Sequence, residues 1–596
     1  MKSKKLLATV LSAVITFSAV SAVSAAPVGK ESKSEPKITT ISWDKSEQNT
    51  KKAATDIKQK KFNNAQEVTN FFEKNISKFG VKKGTLKSTK TLKDDKGKTH
   101  YHTIYEVEGI PVYYGRIVFT TEKDSTMNSI NGRVDTVFEN GNWKNKIKLS
   151  KEDAIAKAKG DIKDQKSNSE KADLYLYNFE GNPYVVYLVN ATTDNGNWNI
   201  FVNAEDGSIV NKFDTTPTLV ENKDKKLPNA KKIKDEAEKN EAKKANASNV
   251  NSVIDVQGQS VKGMGRTSLD GLVNLDLTYG NGRYYLKDNN RKIYLYDLKN
   301  QVSGDDLYRY IIEHYYYGAP EYKQRLMSQS ELVSNSNNNF INDNQVNSVD
   351  AYVNTAKTYD YYKNKLSRNS IDNKGMNVNG FVHVDKNLGN AFWYGPYDSM
   401  FFGDGDGVRF SALAKSLDVV GHELSHGVTN KQSDLNYENE SGALNESFSD
   451  IMGTAVEGKN FVLGEDCWIP SAQYGEIMRD MENPSRGNQP AHMKDYAYMS
   501  EDNGGVHKNS GIINHAAYLI ADGFEKMGTK DSKDIMGKLF YIANCYYWDQ
   551  TTDFAKCRND VVRVAKDLYG DNSKEVEIVK TAFDKVGVYA TPQLSL

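Results

Sequence analysis

The sequence predicts an α+β chain of several domains: small α+β modules first, then a β-rich lobe, then a helical lobe. Three observations carry this reading. The 596 residues exceed one domain several-fold at ~100–200 residues each. Up to Phe402, β-branched and aromatic stretches alternate with Gly, Asn and turn residues, as strands and long loops do. From Leu417 onward, apolar residues recur at helical spacing.

Composition narrows the classes. Lys plus Arg number 78 and Asp plus Glu number 78, so no net field points to nucleic acid or an anionic membrane. With 38% hydrophobic and 11% aromatic residues, a wholly disordered chain is excluded. Three cysteines exclude a disulfide-dense scaffold and all-cysteine metal clusters as the main theme.

The first element is an export signal over residues 1–26. Lys2, Lys4 and Lys5 precede an apolar run over residues 6–20. Ser21, Ala22, Val23, Ser24, Ala25 and Ala26 supply the small residues of a cleavage site. The run falls short of the ~20 apolar residues of a spanning helix, which favours cleavage over anchoring. The expectation is a secreted, extracellular protein with no membrane attachment after cleavage, working where disulfides are allowed and calcium is plentiful.

Residues 27–217 read as one or two small α+β modules. Residues 102–107, 110–119, 174–177, 184–189 and 198–202 are strand-like. Ser150-Lys151-Glu152-Asp153 opens a capped helix at Ala154. Residues 218–252 form a Lys- and Asn-rich linker with almost nothing to bury, the natural place for a maturation cut. A β-rich lobe over residues 253–420 and a helical lobe over residues 421–596 follow.

One motif carries chemistry. Gly421-His422-Glu423-Leu424-Ser425-His426 contains H-E-x-x-H, and Leu417, Val420, Leu424 and Val428 form the apolar stripe of a helix around it. On that helix His422 and His426 share a face, with roughly 5–6 Å between Cβ atoms. Two imidazoles so placed can share a zinc ion while Glu423 stands beside it as a base. The third ligand decides the class. Thr429 and Gln432 stand where the metzincin pattern needs Gly and His, so that reading fails. Glu446 lies downstream in a second amphipathic segment, with Asp450 one turn further on the same face. Asp450 is placed to accept a hydrogen bond from the far nitrogen of a ligating histidine.

Here a resemblance becomes specific. Gly421 to Thr429, then Glu440-Ser441-Gly442-Ala443-Leu444-Asn445-Glu446-Ser447-Phe448-Ser449-Asp450, resemble the thermolysin-like neutral metalloproteases. The resemblance spans roughly residues 254–588. It includes Asn390-Ala391-Phe392-Trp393, Gly403-Asp404-Gly405-Asp406-Gly407, Asp502-Asn503-Gly504-Gly505-Val506-His507 and Asn509-Ser510-Gly511-Ile512-Ile513-Asn514. It implies the two-lobed zincin fold with the His422 helix at the cleft floor. The upstream modules resemble the pro-region of such proteases, which implies a precursor whose own pro-region acts as chaperone and inhibitor. The implied activity is peptide-bond hydrolysis on polypeptide substrates by a monomer.

The resemblance also implies roles. His422, His426 and Glu446 hold one zinc, and Glu423 is the general base. Tyr437 and His507 stabilise the developing oxyanion, with Asp502 orienting His507. Asn390, the main chain at Ala391, and Arg479 hold the substrate backbone. Phe410, Leu413, Val419, Leu463 and Met478 line an apolar pocket for the residue after the cut, so large hydrophobic side chains are preferred there. Asp418, Glu457, Asn460 and Glu465 match a calcium site. Asn460 stands where Asp is usual and Val462 where an acid often does, which predicts one calcium rather than two. Val408 breaks the EF-hand spacing after Gly403-Asp404-Gly405-Asp406-Gly407, which reads instead as a turn. Cys545 and Cys557 are near enough in sequence to bridge, and Cys467 has no assignment. Two other readings stand beside this one. One is a secreted binding protein with a purely structural zinc; the other is a zinc peptidase confined to short peptides.

Overall fold

The computed structural model describes residues 38–44, 57–162 except 58, 171–214 except 180, 194 and 195, 256–300, 326, and 329–590 except 386 and 500. The expected export signal and linker lie outside the described residues. No described helix is long and apolar enough to cross a membrane.

The upstream part is built as its pattern predicts. Helix α1 (Ala65–Lys74) is capped by the Asn64 side chain, which accepts the Glu67 N–H. Strands Thr99–Val107, Ile110–Thr121 and Met127–Asp135 form an antiparallel meander. Thr85–Lys93 borders it on one side and Ile38–Asp44 on the other. Helix α2 (Lys151–Asp161) begins at the capping box of Ser150 and Asp153. Strands Lys171–Phe179, Asn182–Thr193, Gly196–Asn203 and Ile209–Asp214 extend the same sheet, joined to the meander where Val112 pairs with Leu176 in parallel.

The β-rich lobe holds a sheet of order Lys287–Asp288, Ile293–Asp297, Val378–Val382, Ser399–Phe402 and Ala391–Tyr394. Phe381, Phe401 and Phe392 stack across its last three strands at 4.9 Å centroid spacings. Ala391–Tyr394 is left as the edge strand beside the cleft. Helix α3 (Val346–Leu366) packs behind the sheet. The turn expected at residues 403–407 falls over residues 406–410, where Asp406 Oδ1 accepts the backbone N–H groups of Val408, Arg409 and Phe410.

The helical lobe contains α4 (Leu417–Lys431), α5 (Asn439–Glu457), α6 (Asp502–Lys526), α7 (Ser532–Tyr546), α8 (Phe554–Tyr569) and α9 (Lys574–Lys585). Phe448, Phe540 and the fully buried Trp548 pack edge to face at its centre. Helices α4 and α5 meet through glycines. A Cβ on Gly453 would lie 2.4 Å from Asp418 O, and one on Gly421 would lie 3.1 Å from the Gly453 Cα. Only bare backbone permits that approach.

The upstream sheet is docked on the helical lobe by a polar seam. Arg133 pairs with Asp553, and Asn131 donates to Asp560. Arg563 donates to Asn128 Oδ1 at 2.6 Å, and Lys98 Nζ lies 3.0 Å from Asp567. Tyr113 donates to Glu438 Oε1 at 3.0 Å and accepts from Asn436 Nδ2 at 2.9 Å. His100 is buried and stacks on Tyr546. Removing one partner of such a half-buried charged pair costs about 1–3 kcal/mol. Arg133→Ala in the full-length chain should therefore loosen the seam. The check is faster amide exchange in Met127–Asp135 and the first turn of α8, with exchange at the centre of α5 unchanged.

Candidate active site

Helix α4 presents His422 and His426 one turn apart, with their Nε2 atoms 2.9 Å from each other. Glu446 of α5 faces both. Its Oε1 lies 3.3 Å from His426 Nε2 and its Oε2 3.5 Å from His422 Nε2. The three donor atoms fall within 4.8 Å of one another. Glu446 Oε2 is buried and makes no hydrogen bond. Two imidazole lone pairs and an unpaired buried carboxylate oxygen converging on one point are the donor set of a zinc site, so the residues fit the ion the sequence implies.

Both imidazoles are held from behind. Asp450 Oδ1 lies 2.8 Å from His422 Nδ1. Asn445 Oδ1 lies 2.9 Å from His426 Nδ1, so the amide oxygen accepts from that ring nitrogen. Arg479 Nη2 is 2.8 Å from the same Asp450 Oδ1. Burial opposes charge on Glu446, yet the imidazoles of His507, His426 and His422 hold its carboxyl well below the usual range.

Glu423 lies beside the two histidines on α4, and its Oε2 accepts the Trp393 backbone N–H at 3.0 Å. Edge strand Ala391–Tyr394 and the base are thereby tied together. Burial pushes the Glu423 carboxyl up to about 8, a value that a nearby cation would lower. Tyr437 donates to Glu446 Oε1, and its hydroxyl is 3.3 Å from His507 Nε2. His507 Nδ1 lies 2.5 Å from Asp502 Oδ1, and its N–H donates to Asp502 Oδ2 at 2.9 Å. This needs the chain to fold back at the start of α6, where Asn503, Gly504 and Gly505 take φ of 51°, 87° and 79°. Burial works against charge on His507, but the carboxylates of Glu446 and Asp502 raise it to about 9.

The remaining expected substrate contacts are distributed around this centre. Asn390 is half-buried just before the edge strand, and its carbonyl accepts the Gly403 N–H at 3.0 Å. Phe410, Leu413, Val419 and Leu463 are buried in one continuous apolar cluster, with Met478 packed against it. Leu463 pairs in a short strand with Arg479, which brings the apolar cluster up to the guanidinium.

A second group of acids lies at the far end of α5. Carboxylate oxygens of Asp418, Glu457 and Glu465 fall within 4.8 Å of one another. Asn460 stands at the exposed edge, donating to Glu465 Oε1 at 2.6 Å and accepting the Val462 N–H at 2.6 Å. Lys459 Nζ lies 3.0 Å from both Glu457 and Asp466. Burial, reinforced by the neighbouring acids, pushes Asp418 up to about 6 and Glu457 up to about 7. Cys467, Cys545 and Cys557 are all buried and free.

The sequence reading did not assign Asn445, nor Asn514, which donates to Asp450 Oδ2 at 2.8 Å, nor the Trp393 N–H. A signal existed for Asn514: it lies two turns after His507 on α6, as Asp450 lies one turn after Glu446 on α5.

Comparison with known proteins gives consistent matches. The family model for the thermolysin metallopeptidase catalytic domain matches residues 262–430, and that for its alpha-helical domain matches residues 433–588. Upstream, the fungalysin/thermolysin propeptide motif matches residues 84–134, and the peptidase propeptide and YPEB domain matches residues 148–213. A protein named bacillolysin from Bacillus cereus is 37% identical over 81% of each chain. One named thermolysin from Alicyclobacillus acidocaldarius is 34% identical over 82% of this chain and 84% of its own. One named extracellular elastase from Staphylococcus epidermidis is 32% identical over 84% and 87%.

The far acidic cluster generates a prediction. Asp418 and Glu457 hold protons more tightly folded than unfolded. Their protonation therefore stabilises the fold fully below about pH 4, the unfolded value. That stabilisation is lost as pH rises through about 6 and about 7. With divalent cations chelated, the melting temperature should fall across this window. Glu457→Gln should flatten the slope in scanning calorimetry.

Proposed function

Because the chain belongs to the thermolysin metallopeptidase family, we propose that it is a secreted endopeptidase that cuts before large hydrophobic residues. As a family member it is a zinc metalloendopeptidase with a propeptide upstream. The observation that carries the site reading is the meeting of His422 Nε2, His426 Nε2 and the unpaired Glu446 Oε2 inside a buried lobe.

Zinc, when bound by His422, His426 and Glu446, supplies a Lewis acid that favours water ionisation near neutral pH and polarises a carbonyl. The chain's own groups do the rest. The edge strand Ala391–Tyr394, with Asn390 beside it, pairs with an extended substrate backbone. Arg479 holds a substrate carbonyl. The Phe410, Leu413, Val419, Leu463 and Met478 cluster receives the side chain after the cut. Glu423 takes the proton from the attacking water and returns it to the leaving amine. The Tyr437 hydroxyl and the protonated His507 ring donate to the oxyanion, with Asp502 fixing the ring.

The Asp418, Glu457 and Glu465 cluster is read as a site for one calcium ion, hard oxygen ligands without sulfur. Lys459, seated between Glu457 and Asp466, supplies a fixed positive charge on the outer side, which supports one ion rather than two. The pro-region is read as intramolecular chaperone and inhibitor, cut away in the linker over residues 218–252. Export from the cell follows from the signal over residues 1–26. The relative named extracellular elastase fits that location. We read the mature protein as a monomer.

Glu423→Ala is expected to lower kcat on casein about 10²–10⁴-fold while the protein still binds one zinc. Full proteolysis after zinc removal overturns the reading, and cleavage confined to dipeptide amides favours the short-peptide alternative. A peptide library should show Leu, Phe, Ile and Val enriched after the cut, each methylene discriminating by only ~1–3 kcal/mol. Saturating calcium should abolish the loss of melting temperature with rising pH described above. It should add about 2.7 kcal/mol at a hundred times its dissociation constant.

A further inference from the structure

Asp450 meets side chains from three other elements: His422, Arg479 and Asn514. It is fully buried, so no solvent helps to orient it. One oxygen, Oδ1, faces both His422 Nδ1 and Arg479 Nη2 at 2.8 Å. Pulled on that oxygen alone, the carboxylate is free to turn about its Cβ–Cγ bond, and a small turn displaces an imidazole and a guanidinium together. The other oxygen, Oδ2, accepts Asn514 Nδ2 at 2.8 Å. Asn514 is itself fully buried on α6, and its Oδ1 accepts the Ser447 Oγ–H at 2.7 Å.

The chemistry of this chain admits one arrangement. An ionised Asp450 only accepts, so the amide must turn its NH₂ towards it. That leaves Asn514 Oδ1 facing Ser447, whose hydroxyl has a proton to give. A flipped amide would set a carbonyl against a buried carboxylate and leave Asp450 Oδ2 without a donor.

We propose that Asn514, oriented by Ser447, is a positioning residue of the zinc site: by fixing both oxygens of Asp450 it sets His422 for the metal and Arg479 for the substrate. This rests on the zinc reading above and deepens it. The ligand set is then anchored on a third helix. Helix α6 delivers His507 towards Glu446 and, two turns on, Asn514 to Asp450. One rigid element therefore aligns the oxyanion donor with the metal-ligand scaffold.

The test compares three variants of the mature protein. Asn514→Asp keeps the shape but opposes Asp450 with a second carboxylate. Ser447→Ala removes only the orienting hydroxyl. Asn544→Asp is the control, because Asn544 is fully buried and similarly bonded, accepting from Ser433 at 2.6 Å and donating to Thr429 at 2.9 Å, without touching Asp450. Zinc affinity is read by competition with a chromophoric chelator, alongside KM, kcat and melting temperature.

Asn514→Asp should weaken zinc binding about 10–100-fold and raise KM through Arg479. Ser447→Ala should show a smaller loss of the same kind. Asn544→Asp should lower the melting temperature and leave zinc affinity at the wild-type value. Wild-type zinc affinity in Asn514→Asp overturns the proposal, as does an equal loss in Asn544→Asp. If Asn514→Asp yields no mature protein, unchanged zinc affinity in Ser447→Ala overturns it alone. Failure of the wild-type protein to bind one zinc overturns the zinc reading instead.

Discussion

The approach of α4 to α5 sets the position of every group at the cleft. Gly421 and Gly453 strip side chains from the contact, so that backbone meets backbone where α4 crosses α5. At that separation His422 reaches both Glu446 and Asp450, and His426 reaches Glu446 and Asn445. The consequence is electrostatic. Two carboxylates one turn apart are forced into a water-poor interior, where each is tolerated only because cationic groups surround it. Arg479 and His507 supply that charge from the strand at Arg479 and from α6, while His422 and His426 turn ring nitrogens towards the carboxylates. Glu446 Oε2 makes no hydrogen bond and faces the two α4 imidazoles, the place where the proposed zinc would add its charge.

The same logic, applied with fewer cations, explains the far end of α5. Asp418, Glu457 and Glu465 fall within the same 4.8 Å limit as His422, His426 and Glu446, and among the described residues the cation paired with them is Lys459. Burial therefore raises Asp418 and Glu457, whereas Glu446 is lowered. The direction of the shift separates a cluster balanced by fixed protein cations from one that needs a proton or a divalent ion. Helix α5 thus contributes to both kinds of site, with Glu446 near its middle and Glu457 at its C-terminal end.

What could be read from the sequence was whatever is encoded by spacing along one element. His422, Glu423 and His426 share a helix turn, and Glu446 and Asp450 share the next helix, so their faces follow from 3.6 residues per turn. The capping box at Ser150 and the strands of the upstream modules were legible for the same reason. Groups whose partners come from distant elements were not. The Trp393 N–H on Glu423 depends on where an edge strand lies, and Asn514 depends on the packing of α6 on α5. Cys545 and Cys557 illustrate the limit from the other side: nearness in sequence allowed a bridge, but both thiols are buried and free. The calcium-site asparagine is similar. The resemblance placed Asn460 beside the acids, and its bonds to Glu465 and the Val462 N–H at the exposed edge depend on where the chain after α5 turns.

The seam with the upstream modules bears on how the cleft forms. Asn436 and Glu438, the residues on either side of Tyr437, are both bonded to Tyr113. Glu438 is buried there, its carboxyl pushed up to about 7 by that burial, and it precedes the first turn of α5. Along α8 the seam likewise satisfies Asp553, Asp560, Arg563 and Asp567 with upstream side chains. A helical lobe assembled without these partners must solvate each of those groups by itself, at the cost that unpaired polar atoms carry. With the modules in place, the loop bearing Tyr437 and the start of the Glu446 helix are held by these bonds. Removal of the modules, as proposed above, would expose these polar groups to water rather than to an apolar gap. The charged character of the seam therefore suits the proposed role of the pro-region, to help build the lobe and then leave it.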